Sequence, residues 1–109
     1  LLARLAVVPL VLEARGLDVT PVMIEKLRAA EDDASAAVLE VIYAEEIGHV
    51  AIGKRWFDRL CARRGEEPQA AWQALVRRHF KGQLKPPFND AARREAGFPA
   101  DFYATLAVD

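Results

Sequence analysis

One unbroken helical pattern in the middle of the chain constrains the fold more than any other feature. The pattern predicts a long helix over 34–64, between an acidic reversal at 31–33 and a glycine, Gly65. Asp32 or Asp33 is suited to cap its first turn, and Gly65 is suited to end it in the left-handed conformation. No segment combines β-branched alternation with hairpin turn residues. We therefore predict an all-α protein.

Shorter helices are predicted before the long one. Residues 2–15 are apolar on most sides, and Pro9 predicts a kink or an irregular turn within them. Gly16 is a candidate end for this first helix. A Thr-Pro pair at 20–21 suits an N-cap and a first helical residue, so the helix either restarts there or continues through the pair, to about residue 30. The reversal that follows makes a helical hairpin with the long helix.

The rest of the chain is predicted to change character after residue 80. A helix over 68–80 completes a helical core over 1–80. Two consecutive prolines then favour an extended segment over 82–88. Short helices are expected over 90–96, capped by Asn89, and over 100–106. We expect the region 81–109 to pack back on the core through its four aromatic side chains, which are Phe88, Phe98, Phe102 and Tyr103.

The long helix is predicted to bury one stripe of side chains. A repeat of three and four residues brings its apolar positions to one face. The predicted stripe comprises Val38, Val41, Ile42, Glu45 or Glu46, His49, Ile52, Trp56 and Leu60.

Composition narrows the possible partners. The chain has 109 residues, 52% hydrophobic and 28% charged, with a net charge of −1, so neither disorder nor nucleic-acid binding is expected. Its apolar start is too short for a membrane span of about 20 residues, and its single cysteine, Cys61, is compatible with a reducing cytoplasm. The chain begins with Leu1 rather than Met, and we expect it to be a fragment of a longer protein.

Three residues form a candidate metal-ligand set. Glu46 and His49 are three residues apart, so a helix presents both on one face. Glu13 is a carboxylate within an apolar run, where it is costly unless it is paired or metal-bound. Glu13 precedes Asp32 by 19 residues and His49 follows it by 17, so a reversal there brings the two nearly level. Carboxylate and imidazole suit divalent iron or manganese.

Simpler interpretations of the same residues stay open. Glu-x-x-His is common on helices without a metal, and Glu13 has Arg15 or Lys26 as a possible ion-pair partner. Glu45, four residues before His49, is an alternative ligand to Glu46.

Other candidate residues carry weaker signals. Tyr43, one turn before Glu46, is a core residue or a redox-active neighbour of a metal. His79 lies among basic residues at the end of a helix, where solvent exposure is the simplest expectation. Cys61 has no histidine or basic residue at a spacing that would indicate a reactive thiol.

Three stretches of the sequence resemble a bacterial ferritin-like family of unknown function. They are Leu-Glu-Ala-Arg-Gly-Leu-Asp at 12–18, Glu-Glu-Ile-Gly-His-Val-Ala-Ile-Gly-Lys-Arg-Trp at 45–56 and Phe-Lys-Gly-Gln-Leu-Lys-Pro-Pro-Phe-Asn at 80–89. The Glu-Ala-Arg at 13–15 is more distantly similar to the di-iron tRNA hydroxylase.

The resemblance implies a four-helix ferritin-like bundle with a di-iron site, of which this chain is a half-bundle. On the matching positions, Glu13 would be a terminal carboxylate, Glu46 a bridging carboxylate and His49 the histidine ligand. Members of the family have two earlier helices that supply another Glu and another Glu-x-x-His. A homo-oligomer, or an N-terminal half of the same domain, is therefore expected to complete the site, with no membrane or nucleic-acid partner.

The activity implied by the resemblance is that of a di-iron, or di-manganese, oxidase or oxygenase. No motif identifies a substrate or a catalytic residue. Two alternatives stay open: a non-catalytic helical interaction or dimerisation module, and an iron storage or detoxification protein.

Overall fold

The computed structural model describes residues 1–107, and within that range every regular element is helical. The described residues form six α-helices, α1 to α6 in chain order. A π-helical segment connects α1 to α2, and a short 3₁₀-helix follows α6. The predicted all-α class is confirmed. The α-helices are Leu2–Val7, Ala14–Ala29, Asp33–Arg64, Pro68–His79, Asp90–Glu95 and Ala100–Tyr103; the π-helical segment is Val8–Glu13 and the 3₁₀-helix is Ala104–Leu106.

The central unit is an antiparallel hairpin of α2 and α3. Its turn contains Glu31 with a positive φ of 63°. Asp32 caps α3 by accepting a 3.1 Å hydrogen bond from the backbone N–H of Ser35. Gly65 ends the helix in the left-handed conformation with φ 69°, which glycine adopts without a side-chain penalty. The predicted long helix is therefore confirmed at both ends.

At the start of the hairpin, the structure has the continuous helix of the two predicted alternatives. Gly16 does not end a helix and Thr20 does not begin one, because α2 runs from Ala14 to Ala29 with Pro21 inside it. Proline has no N–H to give to the carbonyl four residues earlier, which is that of Leu17. The side-chain amide of Asn89 donates to this carbonyl at 3.0 Å instead. A residue distant in the sequence thus provides the hydrogen bond that Pro21 cannot give.

Pro9 produces the predicted irregularity in the form of a π-helical segment, Val8–Glu13. The proline ring clashes with the carbonyl four residues before it, and a wider turn relieves that clash. The carbonyl of Ala6, just before the segment, accepts a 3.0 Å hydrogen bond from the indole N–H of Trp72. This bond also fixes α4 against α1.

The chain beyond α4 packs on one side of the hairpin. Phe98 and Tyr103 are buried, and Trp72 meets Phe98 edge-on with ring centroids 5.3 Å apart. The segment between α4 and α5 is extended and touches the chain end through an isolated bridge of Leu84 with Ala107. Phe98, Phe102 and Tyr103 belong to the same buried cluster as Leu10 and Trp72. Residues 108–109 of the predicted region 81–109 lie outside the described residues.

The predicted buried stripe of α3 is wrong for most of its members. Val41 is 60% exposed and Trp56 is 49% exposed. The face that α3 does bury is an adjacent one, because α4, α5 and the N-terminal helices pack there. Its buried residues are Ala36, Val50, Gly53, Lys54, Phe57 and Cys61. The apolar repeat is present in the sequence, but within residues 1–107 no element covers it.

No helix among the residues that the structure describes is long and apolar enough to cross a membrane.

Candidate metal centre

Close packing of the two hairpin arms positions the candidate ligands. A side-chain β-carbon added to Gly53 of α3 would lie 2.4 Å from the Cβ of Pro9, so only glycine allows this approach. Seven residues after Pro9, Gly16 of α2 faces Glu46 of α3. A β-carbon added to Gly16 would lie 3.7 Å from the Cγ of Glu46. Residue numbers fall along α3 as they rise along the first arm. The register therefore sets Glu13 opposite His49.

The three predicted ligands lie together at this level. The Nδ1 atom of His49 is 3.6 Å from a carboxylate oxygen of Glu13 and 3.8 Å from one of Glu46. One potential ligand atom from each residue lies within 4.8 Å of the other two. Glu45 is exposed and is not part of this cluster. Of the two carboxylates left open by the sequence, Glu46 is the one that the fold brings to His49.

The end of the π-helical segment supplies one ligand. Glu13 is its last residue, and a π-turn changes the direction in which the side chains after it project. The other two ligands, Glu46 and His49, lie one turn apart on α3. Two helices therefore present carboxylate and imidazole to the same point.

The electrostatics of the cluster favour a cation. The pKa of Glu46 lies above its ordinary value, first because burial penalises the carboxylate and then because Glu13 hydrogen-bonds and repels it; His49 acts in the opposite direction. The Oε1 atom of Glu46 is buried and has no hydrogen-bond partner within the described residues. A carboxylate whose charge is disfavoured by burial and by a second carboxylate, and which has an unused buried oxygen, fits a positive ion beside it.

The donor spacing also bears on how many ions fit. Two donors on one ion at bond lengths of about 2.1 Å lie no more than about 4.2 Å apart. The spread of up to 4.8 Å is wider than this limit. The side chains must therefore close slightly on a single ion, or hold two ions that share a carboxylate.

An open cavity of about 440 Å³ adjoins the cluster. Glu13 and His49 form part of its lining, together with apolar side chains and Arg4. The exposed apolar face of α3 continues the same surface, with Ile52 at 53% exposure.

The other candidate residues lie elsewhere. The Tyr43 hydroxyl accepts a 2.8 Å hydrogen bond from the Asn89 side chain and is not in the ligand cluster. His79 is exposed at the end of α4. Cys61 is buried, and burial raises the pKa of its thiol, as expected of an unreactive core residue.

Two positioning residues were not predicted. Pro9 and Gly53 set the distance between the two arms, yet neither carries a chemical group that marks a site. A glycine inside a helical pattern is the one signal in the sequence that indicates a close helix crossing.

Comparison with known proteins places the chain in a family. The pattern of the family described as "Protein of unknown function (DUF455)" matches residues 1–104. The chain belongs to this family. An uncharacterized protein of Haemophilus influenzae (strain ATCC 51907 / DSM 11121 / KW20 / Rd) is 42% identical over 95 residues, which are 87% of this chain and 33% of that protein. The chain thus spans about a third of the length of this curated relative. No solved structure matches it.

Proposed function

We propose that this chain is part of a ferritin-like, dinuclear metal-binding helical domain with oxidase- or oxygenase-type activity. The observation that carries the proposal is the convergence of Glu13, Glu46 and His49 from two helix arms, with donor atoms within 4.8 Å. The donor set suits divalent iron or manganese. A Glu from one helix with a Glu-x-x-His from the next is half of the ligand set of the di-metal carboxylate bundles.

The residues have distinct proposed roles. Glu46 would be the bridging ligand, as the family resemblance implies, and its buried oxygen without a hydrogen-bond partner supports this role. Glu13 and His49 would be terminal ligands, each offering one atom. Bound iron or manganese would supply redox chemistry with dioxygen at such a site.

We propose that a second helical pair completes the site by packing on the exposed face of α3. Val41, Ile52 and Trp56 are each about half exposed or more, on the same surface as His49. Contiguous apolar surface of this kind marks an interface. Either a second copy of the chain or a further part of the same polypeptide would supply the pair. The curated relative has about two thirds of its length outside the match.

Metal retention tests the proposal directly. The chain is incubated anaerobically with iron(II) or manganese(II), desalted, and analysed for metal content. We expect Glu46→Ala and His49→Ala to lower the retained metal at least tenfold. Glu45→Ala is the matched control, because Glu45 is a neighbouring carboxylate on the same helix outside the cluster. Equal retention by all three variants and the unmodified chain would contradict a metal site at this position.

A non-catalytic interaction module is the second candidate function. The exposed apolar face of α3 favours it independently of the ligands. Sedimentation separates the two candidates: association that needs neither metal nor the ligand residues supports the module, whereas association promoted by metal supports the dinuclear site.

A further inference from the structure

A second cavity lies on the side of the π-helical segment that faces the extended chain between α4 and α5. Its volume is about 410 Å³, within the range of about 300–1,000 Å³ for small-molecule sites. Its apolar walls come from both segments, with Val11 and Leu12 on one side and Phe80, Leu84 and Phe88 on the other. The metal-ligand residues are not in its lining.

The charged groups that line this cavity are all cationic. Arg15, Lys85 and Arg93 contribute to the lining. Arg93 is held by the buried carboxylate of Asp18, with distances of 3.0 and 2.7 Å. Arg15 is 3.6 Å from the same carboxylate and is partly exposed. The ammonium group of Lys85 has no ion-pair partner among residues 1–107. Three cations against one carboxylate leave an excess of positive charge.

Two of the three cationic side chains, those of Arg15 and Arg93, are fixed to the cavity wall. The guanidinium of Arg15 donates a 2.8 Å hydrogen bond to the backbone carbonyl of Lys85, which ties the helix to the extended segment at the cavity. Arg93 lies over the Phe88 ring at 4.8 Å from its centroid. An apolar interior beside fixed cations is the combination that recognises an amphipathic anion.

We propose that this cavity binds a small amphipathic carboxylate. The apolar body would pack against Val11, Leu84 and Phe88, and the carboxylate would pair with Lys85 and Arg15. The site is separate from the metal cluster, so the inference does not depend on the proposed function. A bound ligand would join the two segments that Arg15 already connects.

Octanoate titrated into the metal-free ¹⁵N-labelled chain tests this proposal by NMR. We expect saturable shifts centred on the amides of Gly82, Leu84 and Phe88. Octanol, which has the same apolar body without a charge, should bind several-fold more weakly there, and octylamine more weakly still. Shifts confined to the exposed face of α3 would overturn the proposal.

Lys85→Gln provides the decisive variant, with Lys81→Gln as its matched control. Both lysines are exposed in the same segment, but Lys81 is not in the cavity lining. We expect Lys85→Gln to weaken octanoate binding about two- to fivefold, as expected for loss of one partly exposed ion pair, and to leave octanol binding unchanged. Lys81→Gln should change neither. Equal weakening by both variants, or equal affinity for octanoate and octanol, would contradict a carboxylate site.

Discussion

Asn89 satisfies the carbonyl of Leu17, 72 residues before it, at a distance of 3.0 Å. Pro21 leaves that carbonyl without its helical partner. The same side chain caps α5 by accepting from the N–H of Ala92 at 3.2 Å and donates to the hydroxyl of Tyr43 at 2.8 Å. One residue therefore connects both arms of the hairpin to the C-terminal region.

Replacement of Asn89 should destabilise the whole fold. We expect Asn89→Ala to lower the free energy of unfolding by about 2 kcal/mol, through loss of a cap and of partly buried hydrogen bonds. Urea unfolding measures the change. Asn89→Asp keeps the cap acceptor but cannot donate to Leu17. Pro21→Ala restores the helical N–H to the carbonyl of Leu17. We expect the gain in stability from Pro21→Ala to be about 1 kcal/mol larger in the Asn89→Asp chain than in the unmodified chain. An equal gain in both backgrounds would show that Asn89 and Pro21 are not coupled.

The sequence predicted those features that depend on local signals. Asp32 and Gly65 mark the ends of α3 through capping, and Asn89 marks the start of α5. The level placement of Glu13 and His49 followed from the position of the reversal, since two antiparallel helices rise equally from a turn.

Features that depend on distant contacts could not be predicted. The unbroken α2 needs Asn89 as a partner for Leu17, and no local signal indicates it. The apolar repeat of α3 showed an amphipathic helix, but not which of its faces is covered. The C-terminal region covers the face with Phe57, and Trp56 is left half exposed. Burial is decided by what packs on a helix, and the helix sequence alone does not specify that.

The buried ion pair of Asp18 and Arg93 should be essential for stability. Their side chains are 1% and 5% exposed, and the guanidinium binds both carboxylate oxygens. We expect Arg93→Met to lower the free energy of unfolding by about 3 kcal/mol, because the buried Asp18 loses its bidentate partner and keeps only the more distant, partly exposed Arg15 as a counter-ion. The Asp18→Asn/Arg93→Met double variant removes both charges and should be more stable than Arg93→Met in chemical unfolding. A double variant with the summed loss of the two single variants would contradict a coupled pair.

The charge on Glu46 should destabilise the metal-free chain. Burial and the proximity of Glu13 raise the pKa of Glu46, so folding favours its protonated form. The contribution of Glu46 to the stability of the metal-free chain is then fully present below the pKa of an unfolded glutamate, and it is lost as pH rises through the raised pKa. Glu46→Gln mimics the protonated side chain, and we expect it to raise the unfolding temperature by a few degrees near neutral pH. The difference should disappear below about pH 4, where the carboxyl is protonated in both states.

Manganese(II) should make the unmodified chain more stable than Glu46→Gln, which reverses their order in the absence of metal. It stabilises a chain that binds it in the folded state, so the unmodified chain should gain stability and Glu46→Gln should not. Thermal unfolding followed by circular dichroism, with and without the ion, measures both effects. Equal stabilisation of the two chains by manganese(II) would exclude Glu46 as a ligand.

The contact of Gly53 with Pro9 should control both stability and metal retention. An alanine β-carbon at Gly53 would lie 2.4 and 2.6 Å from the Cβ and Cγ of Pro9, so the π-helical segment must move away from α3. We expect Gly53→Ala to cost about 1–3 kcal/mol in unfolding free energy. Because Glu13 ends that segment, its carboxylate should move away from His49 and metal retention should fall. Gly48→Ala is the matched control on the same helix, with nothing within 4 Å of the added carbon. It should stabilise the chain by up to about 1 kcal/mol and retain the metal, and a similar loss of metal in both variants would show that the Pro9 contact does not position Glu13.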